Sequence, residues 1–302
     1  MELSFTVMPD LCGLRLDKGI SEQYEEISRS YISKLIKEGG VTVNDKAEKP
    51  SYILNAGDIV CFELPKNEDM KCLPEDIPID ILYEDNDVIV VNKPKQMVVH
   101  PSNGHHSGTL VNALLYHCRD LSGINGVLRP GIVHRIDMDT TGSLIVCKND
   151  ASHKDIAEQL FIHSIDRRYR AIVWGVIKDD EGVIDLPIGR DKRDRKKMAV
   201  DIRGKRAVTH YRVLERFREH TYIECELETG RTHQIRVHMT YIGHPILGDE
   251  IYGPRKSRFK TVGQTLHAYY IAFDSPSDKR RIEVTAPIPE YFEHLLSSLR
   301  ES

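Results

Sequence analysis

Three stretches of this 302-residue chain gather the residue types that do chemistry. The first reads Arg129-Pro130-Gly131-Ile132-Val133-His134-Arg135-Ile136-Asp137-Met138-Asp139-Thr140-Thr141-Gly142 and runs into the apolar segment Ser143-Leu144-Ile145-Val146-Cys147. Its glycines and threonines mark a loop feeding a strand, a place where a rigid sheet presents functional groups. Asp137 stands at the end of that loop among polar neighbours. A carboxylate there serves as a nucleophile or base, or it caps local backbone N–H groups as an ordinary turn aspartate. The second stretch reads Glu228-Thr229-Gly230-Arg231-Thr232-His233-Gln234-Ile235-Arg236-Val237-His238. Arg231 falls at a strand-to-helix corner, where its fork of donors can reach a carboxylate on a neighbouring loop, or simply face water. The third reads Arg167-Arg168-Tyr169-Arg170-Ala171-Ile172-Val173-Trp174-Gly175. Tyr169 opens a strand between arginines, and an ordinary core tyrosine fits that pattern equally.

The elements that must position these residues follow from periodicity and turn chemistry. Residues 1–65 read as a small α+β module. Ser28 can cap a helix in which Ile32, Leu35 and Ile36 recur at helical spacing, and Gly39-Gly40 ends it. Val41-Thr42-Val43 and Asp58 to Leu64 are its strands. Residues 66–76 are polar and proline-broken, which suits a flexible linker. Residues 77–302 are strand-rich. Strands are predicted at Asp80–Tyr83, Val88–Val91, Ala171–Ile177, His210–Leu214, Tyr222–Leu227, Leu266–Phe273 and Ile282–Thr285. Helices are predicted at Leu110–His117, Ala151–Phe161 and Arg231–Ile242. Strands outnumber helices without regular alternation, so the expected class is α+β, with helices packed on a mixed, largely antiparallel sheet.

Composition bounds the function. The chain carries 42 Lys+Arg against 46 Asp+Glu, a net charge near −4, with 40% hydrophobic residues, as in globular proteins. Apolar runs such as Val88-Ile89-Val90-Val91 fall far short of the ~20 residues of a membrane helix, and Met1 to Phe5 lacks the pattern of a secretion signal. A cytoplasmic protein without a membrane partner is expected. Six scattered cysteines with no C-x-x-C pair give neither a disulfide framework nor a zinc site, and most read as small core residues. Charge is uneven. Residues 1–70 hold 8 Lys+Arg and 13 Asp+Glu, a net of −5. Arg190 to Arg206 holds nine basic residues, among them Arg193, Lys196 and Lys197. Such a cluster is either a solvated hairpin or a contact surface for a polyanion.

Taken together, H-R-I-D-x-x-T-T-G, Y-x-A-x-V-x-G and E-T-G-R-T-H-Q-I-R-V-H, followed by Gly243-His244-Pro245-Ile246-Leu247-Gly248-Asp249 and Leu266-His267-Ala268, resemble the RluA/RluD family of RNA pseudouridine synthases. The resemblance covers about Ile79 to Pro289. A helix pair followed by short strands, beginning Leu14-Arg15-Leu16-Asp17, resembles the RNA-binding module named after ribosomal protein S-four, which RluD-like members carry. Ile136, Thr141, Ser143 and Cys147 depart from commoner residues of the family pattern, and none of them touches Asp137, Tyr169 or Arg231.

The resemblance implies an enzyme that detaches uracil from its ribose and rejoins it through carbon, with Asp137 as the catalytic carboxylate. It implies that Arg231 pairs with Asp137 and that Tyr169 stacks on a flipped uracil and helps remove the proton from the base carbon. Arg135 would occupy the space the base leaves or hold the displaced backbone, and His134 would contact RNA or support the loop. Phosphate contacts would come from Arg167, Arg168 and Arg170 and from the Arg190–Arg206 cluster with Arg193, Lys196 and Lys197, and in the N-terminal module from Arg15, Arg29, Lys34 and Lys37. The chemistry asks for no cofactor and no metal. The sequence agrees, having no G-x-x-x-x-G-K loop, dinucleotide fingerprint or metal cluster. The N-terminal module points to large-subunit ribosomal RNA as partner, and nothing argues against a monomer. Three readings compete: the same reaction on transfer RNA, an N-glycosidic hydrolase that releases the base, and a non-catalytic RNA-binding or ribosome-assembly factor. The hydrolase usually needs a second, distant carboxylate, and Asp139 lies only two residues away.

Overall fold

The protein was studied as a computed structural model. It describes residues 2–9, 11–24, 29–63, 72–102, 104–118, 121–124, 129–194, 197–254 and 257–301, and the chain divides into two compact units, Met1–Met70 and Lys71–Ser302.

The first unit comprises β1 (Glu2–Thr6), α1 (Leu16–Gln23), α2 (Arg29–Lys37), β2 (Val41–Val43), β3 (Lys46–Ala47) and β4 (Ile59–Glu63). Its antiparallel sheet has the order β1-β4-β2-β3. The helical spacing of Ile32, Leu35 and Ile36 buries all three against Leu16, Ile20, Val41, Val60 and Phe62. The expected cap, Ser28, lies outside the described residues.

The second unit continues with β5 (Asp80–Glu84), β6 (Val88–Lys93), α3 (Leu110–His117), β7 (Thr141–Cys147), α4 (Asp150–Phe161), β8 (Asp166–Trp174), β9 (Glu181–Asp185), β10 (Ile188–Arg190), β11 (Met198–Val200), β12 (Val208–Arg216), β13 (His220–Leu227), α5 (Gln234–Tyr241), β14 (Leu266–Asp274), β15 (Arg281–Thr285) and α6 (Glu290–Arg300). Nine strands form one sheet in the order β5-β6-β7-β14-β8-β13-β12-β9, with β15 against β14. Only β7 and β14 pair in parallel; the other pairings are antiparallel. The expected α+β class with a mixed, largely antiparallel sheet is therefore what the chain adopts. Four of the six cysteines are buried, and Cys225 shares its strand face with Ile223 and Leu227 as the alternation required.

Several boundaries differ from the sequence reading, two of them before the cavity is reached. Of the expected linker, 66–71 lies outside the described residues, while the following residues are tied to α3 and its approach. Asn112 Nδ2 donates to Leu73 O at 2.8 Å, and Glu75 N donates to Asn112 O at 3.0 Å. This part is bound structure, because backbone groups that find partners have no reason to stay extended in water. Strand β8 begins at Asp166, five residues before the expected start, since cross-strand pairing with β13 and β14 holds its arginine-rich end extended.

Strand β7, which follows the Asp137 loop, is buried throughout. Gly142 lies in it at φ +109°, and a Cβ there would sit 2.2 Å from Ala268 O of β14. Only glycine allows this close parallel approach, which brings the loop beside β14 and β8.

Candidate active site

The loop of Asp137 is held from three sides. Lys93, at the end of β6, is 1% exposed, and its Nζ donates to Pro94 O, Met97 O and Met138 O at 2.7, 2.8 and 2.9 Å. Burial pushes the Lys93 pKa down to about 7. His134 supports the loop from the sheet side, where its Nε2 accepts from Ile145 N at 2.9 Å. Burial, with Arg167 adding repulsion, lowers the His134 pKa to about 3, so the ring is neutral and holds backbone. Thr140 N closes the turn on Asp137 O at 3.0 Å.

These supports leave the Asp137 carboxylate a quarter exposed at a cavity of about 510 Å³. Its strong partner is Arg236, whose Nη1 donates to Asp137 Oδ2 at 2.9 Å. Arg236 is itself fixed by Asp249, to which its Nε and Nη2 donate at 2.6 and 2.9 Å. Asp249 is closed off by Ile251 N and Tyr252 N, at 3.0 and 3.1 Å. Burial opposes the Arg236 charge, yet the two carboxylates together push its pKa above the ordinary arginine value. His233 Nε2 lies 3.9 Å from Asp137 Oδ1, and His233 Nδ1 meets Tyr252 Oη at 2.8 Å.

The arginine that meets Asp137 is thus Arg236, which corrects the expected pairing with Arg231. The reason lies in how α5 starts. Gln234 Oε1 accepts from Thr229 Oγ1 and from Arg231 N, and His233 turns left-handed at φ +56°. The helix therefore begins at Gln234, beyond the expected Arg231 start, with Arg236 inward in its first turn. Arg231 still borders the cavity, but its Nε donates to Arg206 O at 2.9 Å. The missed signal was the second arginine of the motif together with Asp249, the acid that closes the Gly243–Asp249 motif.

Tyr169 is 8% exposed and lines the same cavity. Burial raises its phenol pKa, so the hydroxyl stays protonated at neutral pH, which favours a stacking or donor role over proton removal. Arg135 is exposed at the cavity mouth. Strand alternation places Arg167 on the face of Tyr169 and Arg168 on the opposite face. Arg168 there lies 3.5 Å from Glu226 and over the Tyr270 ring, away from the cavity it was expected to serve.

Of the remaining expected contacts, Arg193 is exposed and Lys197 half-buried in the turn of the β10–β11 hairpin, and Lys196 lies outside the described residues. The hairpin base packs on α5 through Ile188, Met198, Val200 and Val237, and Met198 N donates to Tyr252 Oη at 2.8 Å. In the first unit, Arg15 and Arg29 converge on buried Asp17 at 3.0 and 3.2 Å while staying half exposed, and Lys37 is exposed. The Lys34 side chain lies outside the described residues.

The profile of the family described as RNA pseudouridylate synthase matches residues 87–241, and that of the S4 domain matches 14–60. An uncharacterized RNA pseudouridine synthase of Bacillus subtilis is 50% identical over 301 residues, covering 100% of this chain and 99% of its own. The ribosomal large subunit pseudouridine synthase D of Pseudomonas aeruginosa is 44% identical over 304 residues, covering 97% of this chain and 94% of its own. The solved structure of human RNA pseudouridylate synthase domain containing 1 superposes with a TM-score of 0.59 at 25% identity, over 76% of this chain and 97% of that one. Among the described residues no helix is long and apolar enough to cross a membrane. A profile spanning half the chain and a half-identical relative along its whole length lead to one conclusion: the chain belongs to the RNA pseudouridine synthase family, with an S4 domain ahead of the synthase domain.

Proposed function

We propose that this chain isomerises specific uridines of large-subunit ribosomal RNA to pseudouridine in the cytoplasm, with Asp137 as the catalytic carboxylate. The observation that carries the reading is Asp137 itself, oriented by Arg236 at 2.9 Å and open to a cavity that Tyr169 also lines. The charged hydrogen bond from Arg236 fixes one oxygen of the carboxylate and leaves the group facing the cavity, where a carboxylate can act as nucleophile or base. A stacked uridine must leave its helix to reach Asp137, and Tyr169 offers a ring on which the extruded base can lie. Arg135 at the mouth is placed to fill the gap or hold the displaced strand.

Ribosomal RNA as substrate is supported by relatives named ribosomal large subunit pseudouridine synthase D and by the S4 domain. Arg15, Arg29, Lys34 and Lys37 of that domain, and Arg193, Lys196 and Lys197 of the basic 190–206 segment, supply phosphate contacts in this reading.

The test is pseudouridine mapping of total RNA from cells carrying the wild-type gene, an Asp137→Asn version, or none. Loss of the same ribosomal sites in both altered strains is expected. Changes confined to transfer RNA would move the substrate and keep the chemistry. Unchanged RNA in both strains would overturn the enzymatic reading in favour of a binding or assembly factor.

A further inference from the structure

Arg167 is a buried cation of the cavity that meets no carboxylate among the described residues. It is 7% exposed and shares the strand face of Tyr169, two residues away. Its Nη2 donates to Glu228 O at 3.2 Å, and its Nε is buried with no hydrogen-bond partner. Gly230 leaves room for it, since a Cβ there would sit 2.7 Å from Arg167 Nη1. The contrast is with Arg236, equally buried and satisfied by two carboxylates. Burial pulls the Arg167 pKa down, and Arg231 adds repulsion. Keeping an uncompensated guanidinium at a cavity wall is costly unless negative charge arrives with the ligand.

Two sources of such charge enter with an RNA nucleotide: its phosphates and its base. Phosphates stay with the backbone at the mouth, where exposed Arg135 stands. Arg167 lies in the wall beside the buried Tyr169, where the base goes. We infer that Arg167 is a catalytic residue that donates to a carbonyl oxygen of the flipped uracil and stabilises the negative charge the base carries during its transfer.

This inference rests on the isomerase reading above, and it holds for each way Asp137 can act. If the sugar reacts, the N1–C1′ bond breaks and its electron pair leaves with N1, spread over O2 and O4. If Asp137 adds to the base ring, the ring electrons shift onto the carbonyl oxygen. The base then rejoins C1′ through C5, C5 loses its proton, and N1 gains one. Nothing is oxidised or reduced. In both routes anionic charge develops on uracil oxygens, and a preorganised donor aimed there lowers the barrier.

The experiment uses the full chain under single-turnover conditions on total RNA from deletion cells labelled with [5-³H]uridine, reading tritium release and RNA affinity together. Arg167→Gln is expected to slow release by roughly 10²–10³-fold. RNA affinity should change by less than about threefold, because the interaction belongs to the transition state. Arg167→Lys, which keeps the charge, should fall between. A second substrate carries 5-fluorouridine, whose base bears negative charge more easily; C5 then keeps fluorine where uridine loses a proton, water adds across N1 and C6, and transfer is read as the hydrated C-nucleoside by chromatography of nuclease digests. There the penalty of Arg167→Gln should shrink by about tenfold, a shift that a merely structural role does not produce. Equal penalties on both substrates, a rate loss that follows RNA affinity, or full activity of Arg167→Gln would each overturn the inference and leave the isomerase reading standing. A wild-type protein that releases no tritium would overturn both.

Discussion

Arg236 reaches Asp137 at 2.9 Å only after Asp249 has taken its other two donor positions at 2.6 and 2.9 Å. The order matters physically. A bidentate pair fixes the plane of the guanidinium, and the remaining Nη1 then has one direction in which to point. Asp249 therefore sets the position of the Asp137 carboxylate without touching the cavity.

From this follows a split between variants. Arg236→Lys keeps a charge but lacks the fork, so single-turnover rate is expected to fall about 10²-fold or more with RNA affinity nearly unchanged. Arg236→Ala leaves Asp249, whose side chain is 0% exposed, without its cation, and should lower stability by roughly 3–5 kcal/mol in denaturant unfolding. Arg231→Lys, which breaks no carboxylate pair, should cost far less in both measurements. Equal effects at the two arginines would contradict the assignment.

The pH dependence of stability should carry the mark of the buried histidines. Burial lowers the pKa of His134 to about 3, and that of His267, whose Nδ1 meets Thr141 Oγ1 at 2.8 Å, to about 4. Unfolded histidine takes a proton near pH 6.5, so below that value the unfolded state binds more protons than the folded one. Stability is then full above pH 6.5 and falls as pH drops toward the folded pKa values, by up to about 1.4 kcal/mol per pH unit for each ring. Denaturant unfolding between pH 7 and 5 reads the slope. His134→Gln keeps an acceptor for Ile145 N and should flatten it; an unchanged slope would remove His134 from the account.

Much of this architecture was legible from sequence, and the parts that were not share a cause. Helix α3 was read to its ends, because Thr109 caps it and Leu110, Val111, Ala113 and Leu114 fill its buried face. Asp137 and Tyr169 stood out because motif and strand pattern agreed on them. Arg236 was hidden, and Arg167 was expected at phosphate and not in the buried wall, because a charged residue reads as surface unless its partner is known, and Asp249 lies 13 positions from Arg236. Helix α6 was overlooked although Phe292, Leu296 and Leu299 recur at helical spacing, since no chemistry drew attention to that end. Lys93 carried no sequence signal at all: three carbonyl partners hold it, and carbonyls are everywhere.

Lys93 also yields a prediction. Its ammonium fixes Met138 O, one residue past the Asp137 carboxylate. Lys93→Met keeps the volume and leaves three carbonyls without their donor, so a stability loss of roughly 1–3 kcal/mol is expected, together with a fall in rate as the loop loosens. Recovery of the wild-type rate at lower temperature, with stability still reduced, would confine Lys93 to folding.

In the N-terminal unit, Asp17 presents a case where charge counting and structure disagree. Its side chain is 6% exposed and clamps Arg15 and Arg29, each about half exposed. If these arginines contact phosphate, Asp17 orders them beforehand, and ordering before binding strengthens affinity. Asp17→Asn removes a negative charge, so counting alone predicts tighter RNA binding. The clamp predicts the reverse: affinity weaker by about threefold to tenfold, with the salt dependence of binding little altered because both cations remain. Filter binding of ribosomal RNA across a salt series separates the two. Tighter binding by Asp17→Asn would mean that the aspartate merely repels the backbone and that the two arginines need no help in finding it.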